Sequence, residues 1–128
     1  MLDSYALLSY LKKEDNHEKV VELLVHSRGD RLLLMNEINV GECYYIVARR
    51  IGHKEADYLI ETILPSLPIQ IVSNGFEDVL AAARIKAAKA ISFSDCFAVA
   101  TAVREKAAVV TGDPEFKKVK DVVDVEWL

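Results

Sequence analysis

Four acidic residues stand where the surrounding sequence predicts the ends of strands and the starts of helices. Asp3 follows an apolar pair at the N terminus, and Asp113 follows a short apolar run and one glycine. Glu42 and Asp95 each come three residues after a residue that favours a helix cap, the spacing of a first helical turn. Carboxylate oxygens are the ligands that Mg²⁺ and Mn²⁺ prefer. The four residue types therefore predict a divalent cation site, able to lower the pKa of a bound water and so activate it for attack.

The predicted elements are expected to bring these four acids to one place. In a parallel α/β sheet the carboxyl ends of the strands share an edge, and ligands bind beyond that edge. Helices that follow the strands begin at the same edge. Two carboxylates about 6 Å apart repel each other by roughly 3 kcal/mol at an effective dielectric of 20. Four carboxylates in one hollow require protons or cations, which favours a metal site.

Helix capping is the alternative explanation for each acid taken alone. Asp113 precedes Pro114, as expected where a helix begins with a capping acid and a proline in the first turn. The predicted caps are Asp3 and Asp113 themselves and, ahead of Glu42 and Asp95, Asn39 and Ser92. Capping does not require the four side chains to lie together, whereas a metal site does.

The whole chain predicts short strands separated by helices. The predicted strands are residues 1–2, 32–35, 69–72, 108–110 and 122–125. The predicted helices cover residues 5–11, 18–27, 39–51, 54–64 closed by Pro65, 76–88 capped by Asn74, and a last helix capped by Ser92. Strands joined through helices imply right-handed crossovers and a parallel sheet. We expect an α/β fold: a three-layer α/β/α sandwich with a short-stranded, mainly parallel central sheet.

Length and composition limit the possible classes of protein. The chain has 128 residues, 52% hydrophobic and 28% charged, which predicts one globular domain over residues 1–128. The net charge of −4 excludes a general basic coat for nucleic acid, so phosphate binding has to be local or mediated by a metal. No signal peptide or membrane-length apolar run is visible, so we expect a cytoplasmic protein without a membrane partner.

Four stretches in order along the chain resemble the PIN-domain nucleases, and among them the small VapC-type toxins of prokaryotic toxin–antitoxin pairs. The matching stretches are Leu2–Leu8, Asn39–Glu42, Ser94–Ala102 and Val110–Phe116. Members of that family usually have more residues before the first acid, whereas only two precede Asp3 here. Either the central strand is very short or the native start lies upstream.

The resemblance implies a metal-dependent endoribonuclease that hydrolyses RNA phosphodiester bonds with Mg²⁺ or Mn²⁺. Carried over by position, the metal-binding and catalytic residues are Asp3, Glu42, Asp95 and Asp113. Ser4 is implied as a polar neighbour that hydrogen-bonds within the site. The family also implies a homodimer and a small cognate antitoxin that covers the active cleft.

Contacts to the RNA substrate are expected from the basic group that follows the last acid: Lys117, Lys118 and Lys120. Two other functions remain open. One is a non-catalytic PIN-like module that binds RNA or protein, in which the acids only cap helices. The other is a receiver-like Mg²⁺-binding signalling domain, which needs paired acids after its first strand; the residues around Asp3 lack that pair.

Overall fold

The computed structural model describes all 128 residues and alternates helices with short strands. The strands are β1 (Leu33–Asn36), β2 (Ile69–Val72), β3 (Val109–Thr111) and β4 (Val125–Trp127). The α-helices are α1 (Ser4–Lys12), α2 (His17–His26), α3 (Glu37–Arg50), α4 (His53–Tyr58), α5 (Leu64–Ser66), α6 (Phe76–Ala88) and α7 (Phe93–Arg104). Two 3₁₀ helices cover Gly29–Arg31 and Pro114–Val119, and a π-helical turn covers Leu59–Ile63.

The central strand of the sheet is reduced to one residue, Leu2. It forms parallel bridges to Met35 of β1 on one side and to Val110 of β3 on the other. β1 pairs in parallel with β2, and β3 pairs in parallel with β4. The amide of Leu2 donates to the Leu34 carbonyl at 2.7 Å, which fixes the register. The spatial order is therefore β2, β1, Leu2, β3, β4, and the expected parallel sheet with a very short central strand is confirmed.

Helices cover both faces of this sheet, which confirms the three-layer α/β/α sandwich. On one face, Leu33 and Val110 pack with residues of α1 and α2. On the other face, Leu34 and Val109 pack with residues of α6 and α7. Neighbouring strand residues thus point into opposite apolar layers, as the two-residue period of a strand requires. None of the helices combines the length and the apolar character needed to span a bilayer.

The start of α3 differs from the prediction. Asn36, the last residue of β1, is its N-cap, and Asn36 Oδ1 accepts a hydrogen bond from the Ile38 amide at 2.9 Å. The predicted cap, Asn39, is a buried residue inside the helix. Strand and helix join without a loop, because the side chain at the strand end satisfies the first free amide. Glu42 consequently lies in the second turn of α3 and not in the first.

Two further helix boundaries were predicted wrongly. Gly75, not Asn74, precedes α6, and Asp78 Oδ2 accepts from the Gly75 amide at 2.8 Å. Pro65 does not close the preceding helix, which continues through α5 to Ser66 after the π-helical turn. A proline is tolerated at the start of a helical segment because its missing N–H is not needed there.

The C-terminal edge strand forms later than the 122–125 prediction. It comprises Val125–Trp127 because Val123 is buried in the α6–α7 layer and not paired in the sheet.

Candidate active site

All four predicted acids line one pocket at the edge of the sheet where Leu2 and β3 end. The pocket has a volume of about 590 Å³. Its acidic wall consists of Asp3, Glu42, Asp95, Asp113 and Glu115. We call it the acidic pocket. The structure therefore brings the four side chains together, as a shared sheet edge requires, while their catalytic role remains a prediction.

Asp3 enters the acidic pocket directly after Leu2 and Asp113 enters it two residues after the end of β3, and both also cap helices. Asp3 Oδ1 accepts from the Ala6 amide at 2.8 Å in the first turn of α1. Asp113 Oδ1 accepts from the Glu115 amide at 2.9 Å at the start of the 3₁₀ helix. The predicted caps are confirmed for both residues. The same two side chains therefore cap helices and line the acidic pocket.

Asp95 and Glu42 enter the pocket from helices. Ser92 caps α7, as predicted, and its hydroxyl accepts from the Asp95 amide at 3.1 Å. Glu42 is held by hydroxyl donors: Ser4 Oγ donates to Glu42 Oε2, and Tyr45 donates to Glu42 Oε1 at 3.4 Å. Ser4 Oγ also lies 3.2 Å from the Asn39 carbonyl. The residue next to Asp3 therefore fixes the carboxylate of Glu42.

Gly112 is needed for the approach of the last acid to the pocket. The ring of Tyr5, which lines the same pocket, packs directly against the backbone of Gly112. A Cβ atom at position 112 would clash with that ring. The glycine therefore lets the chain carry Asp113 past α1 to the sheet edge.

Burial, together with neighbouring negative charges, raises the pKa values of Asp3 and Asp95. Burial raises the pKa of Asp3 to about 7, and the negative charges of Asp95 and Asp113 add to the shift. The Thr111 hydroxyl and the Ala6 amide act in the opposite direction. Burial likewise raises the pKa of Asp95, with Glu42 and Asp113 contributing. Desolvated carboxyls beside like charges are a common feature of functional sites.

The donor set of the acidic pocket fits a hard divalent cation. It consists of carboxylate oxygens with a hydroxyl at Ser4, and these are the ligands that Mg²⁺ and Mn²⁺ prefer. Asp3 is only 1% exposed, so ionising it without a counter-charge is costly. No three His, Cys, Asp or Glu side chains stand close enough to coordinate one ion together. Mg²⁺ typically uses one or two carboxylates and keeps several waters, which matches such an open set.

One basic residue lines the pocket, Lys86, which the sequence prediction ranked below the lysines that follow Asp113. Lys86 Nζ donates to the Ile91 carbonyl at 2.6 Å. It lies near the end of α6, which packs along α7 and so returns to the start of the helix that bears Asp95. The packing of α6 along α7 is what brings Lys86 to the pocket.

The three lysines after Asp113 do not line the acidic pocket. Lys118 donates to Glu115 and, at 3.0 Å, to the Ala90 carbonyl, while Lys120 lies over the Trp127 ring at 5.4 Å. Lys117 is exposed on the same 3₁₀ helix. Their contact with RNA stays a prediction, and Lys86 is now the better placed cation.

Comparison with known proteins gives a family match and several similar folds. The family model described as PIN domain matches residues 1–122. The structure of VapBC2 from Rickettsia felis, bound to a DNA fragment from its promoter, aligns with a TM-score of 0.75 at 17% identity, covering 100% of this chain and 97% of that chain. The sarcin–ricin loop cleaving toxin VapC20 of Mycobacterium tuberculosis also aligns with a TM-score of 0.75 at 17% identity, covering 98% and 97%. FitAcB of Neisseria gonorrhoeae aligns with a TM-score of 0.70 at 23% identity, covering 98% and 95%. No curated protein sequence matches the chain.

Proposed function

This chain belongs to the PIN-domain family, and on that premise we propose that it is a metal-dependent endoribonuclease, the toxin of a toxin–antitoxin pair. The observation that carries the proposal is the meeting of Asp3, Glu42, Asp95 and Asp113 in one pocket, drawn from distant parts of the chain. Helix capping explains where two of these acids sit, but it does not explain why all four face one another.

Mg²⁺ or Mn²⁺ would be held by the carboxylates of Asp3, Glu42, Asp95 and Asp113, directly or through water. When bound, the cation lowers the pKa of water for attack on an RNA phosphodiester and offsets charge on the leaving oxygen. The protein's part is to orient these carboxylates, and a bound cation would favour their ionised forms. Ser4 orients Glu42, and Ser92 fixes the first turn of α7 behind Asp95.

Lys86 supplies the positive charge that an RNA phosphate needs at the edge of the acidic pocket. Its Nζ is anchored on the Ile91 carbonyl and retains further N–H donors for a phosphate oxygen. The lysines at 117, 118 and 120 then contact phosphates farther along the strand. A local patch of this kind suits a protein whose net charge is −4.

A small antitoxin that covers the acidic pocket and a homodimer of the chain complete the proposal, which places the protein in the cytoplasm. The antitoxin is supported by the neighbouring folds, among them a toxin–antitoxin complex from Klebsiella pneumoniae at a TM-score of 0.68. Co-expression with the adjacent gene product, followed by size-exclusion chromatography with light scattering, tests the complex and the dimer together.

The central experiment measures cleavage of a labelled RNA by the wild-type protein and by Asp95→Asn. We expect cleavage with Mg²⁺ or Mn²⁺, no cleavage in EDTA, recovery on adding metal back, and a loss of at least about 100-fold in the variant. Asp30→Asn is the matched control, because Asp30 is exposed and lies outside the acidic pocket. Equal cleavage in metal, in EDTA and by Asp95→Asn would contradict the metal mechanism.

The non-catalytic module is the competing function, and it is favoured by the absence of a preformed three-ligand cluster. Thermal unfolding separates the two, since a ligand at 100 times its dissociation constant adds about 2.7 kcal/mol to stability. A module whose acids only cap helices shows neither a metal-dependent shift nor cleavage. The receiver-like alternative gains no support from the family match.

A further inference from the structure

We infer that Asn39 is a positioning residue of the acidic pocket, which fixes the helix carrying Asp95 against the helix carrying Glu42. This role deepens the proposed nuclease function and rests on it. Asn39 does not line the pocket itself. It acts through the elements that present the acids.

The contacts of Asn39 join three separate elements. Asn39 Nδ2 donates to the carbonyl of Ser94 at 3.1 Å, and Ser94 is the residue before Asp95 in the first turn of α7. Ser4 Oγ at the start of α1, which donates to Glu42, also lies 3.2 Å from the carbonyl of Asn39. One residue of α3 therefore contacts the start of α7 through its side chain and the start of α1 through its carbonyl.

Stability alone does not account for an asparagine at this position. Asn39 is fully buried, and its Oδ1 has no hydrogen-bond partner. A buried polar atom without a partner disfavours folding, so an apolar side chain of similar volume would be expected to serve the core as well or better. What an apolar side chain cannot supply is the donor to the Ser94 carbonyl.

The hydrogen bond from Asn39 Nδ2 to the Ser94 carbonyl matters because Ser94 is the residue next to Asp95. Asp95 is placed by the first turn of α7, whose backbone is tied to α3 through Ser94. A shift of about 1 Å in a reacting group costs roughly 100-fold in rate. Residues that orient metal ligands from outside typically change activity or metal affinity by about 10- to 100-fold when they are replaced.

The test uses Asn39→Leu, which keeps the branching of the side chain and the backbone carbonyl but removes the donor to Ser94. Asn16→Leu is the matched control, because Asn16 Oδ1 is also buried without a partner, makes no capping bond, and lies outside the acidic pocket. For each protein we would measure kcat and KM for RNA, the half-saturating Mn²⁺ concentration, Mn²⁺ binding by electron paramagnetic resonance without RNA, and thermal unfolding.

We expect Asn39→Leu to melt at or above the wild-type temperature while kcat falls by about 10- to 100-fold and Mn²⁺ binds more weakly by a similar factor. KM for RNA stays within about twofold, because no RNA contact is removed. Asn16→Leu keeps wild-type values of kcat and Mn²⁺ affinity.

Wild-type kcat and Mn²⁺ affinity in a folded Asn39→Leu would overturn the role assigned to Asn39. If the leucine variant does not fold, Asn39→Ala assayed well below its own melting temperature decides in the same way. Failure of the proposed function looks different, because the wild-type protein itself then neither cleaves RNA nor binds Mn²⁺.

Discussion

Two polar clusters lie at the same edge of the sheet, and they differ in whether their polar side chains find partners within the protein. The first is the acidic pocket, beyond Leu2 and β3. The second, beyond β1 and β2, we call the asparagine network; it consists of Asn36, Glu37, Asn74 and Thr101. Both contain buried polar side chains at strand ends, where a parallel sheet exposes its functional edge.

The asparagine network satisfies its own buried polar atoms. Asn36 Nδ2 donates to Asn74 Oδ1 and to Thr101 Oγ1, both at 2.8 Å. Asn36 Oδ1 accepts from the Ile38 amide and from Asn74 Nδ2, both at 2.9 Å. The backbone amide of Asn74 in turn donates to Glu37 Oε1 at 2.8 Å. The buried side-chain amide of Asn36 is therefore fully paired within the protein and needs no bound ligand.

The acidic pocket has an excess of acceptors and like charges. Asp3 is buried beside Asp95 and Asp113, and its pKa is raised to about 7. Each acid is oriented by a cap or a hydroxyl, yet no cationic side chain forms a salt bridge with any of the four. The contrast teaches that a saturated polar cluster serves the fold, whereas an oriented but uncompensated one is built for a ligand.

The largest effect predicted by this contrast concerns Asp3→Asn. In the wild-type protein without divalent metal, folded Asp3 keeps a proton between about pH 4 and pH 7 that the unfolded chain has released. Raising the pH through that window therefore lowers the free energy of unfolding, by up to about 4 kcal/mol for this residue. Asn at position 3 removes this loss, because an amide has no charge and its oxygen can still cap α1.

The measurement is chemical denaturation in EDTA near pH 5 and near pH 8, together with RNA cleavage. We expect the stability of Asp3→Asn relative to wild type to be clearly greater near pH 8 than near pH 5, and RNA cleavage to fall by at least about 100-fold. Asp78→Asn is the control: the Gly75 amide and Arg104 lower the pKa of Asp78, so its contribution is fully present at both pH values and its loss should not depend on pH in this range. A parallel pH dependence of stability in wild type and Asp3→Asn would show that Asp3 is not held at a raised pKa.

The second prediction applies to the asparagine network, where a substitution is expected to lower stability and to leave RNA cleavage nearly unchanged. Asn36→Ala removes the cap of α3 and leaves the partners of a fully buried amide without their bonds. We expect the free energy of unfolding to fall by about 2–4 kcal/mol, while the RNA cleavage rate of the folded protein changes little. Urea denaturation measures the loss.

Asn74→Ala serves as the companion to Asn36→Ala, since Asn74 is only half-buried and its removal should cost less. If Asn36→Ala were as stable as the wild-type protein, the saturated network would have no structural role. A loss of cleavage beyond the loss of folded protein would instead make the network part of the site.

The sequence predicted the acidic pocket better than the asparagine network, because the acids stand beside predicted strand ends and helix starts in the sequence itself. Asp3 follows an apolar strand residue directly and Asp113 comes two residues after a strand, so strand ends and acids could be read together. The run from Asn36 to Asn39 offers two residues suited to cap a helix, and only the register of β1 against β2 decides that the first one does. Asn74 owes its position to contacts with Asn36 and Glu37, which are distant in sequence and which no spacing along the chain records.

The smallest predicted effect concerns Lys86, the cation beside the acidic pocket. Lys86→Gln keeps much of the side-chain length but removes the charge, so we expect KM for RNA to rise by about 3- to 10-fold with kcat little changed. The slope of log affinity against log salt should weaken by about 0.7, the value for one phosphate on a single strand. Lys54→Gln is the matched control, because Lys54 is exposed and lies outside the pocket. Lys120→Gln tests the rival contact, since Lys120 belongs to the lysines after Asp113 and lies against the Trp127 ring. A larger effect from Lys120→Gln than from Lys86→Gln would return the main RNA contact to the lysines after Asp113, and the acidic pocket would then lack a cation of its own for the phosphate.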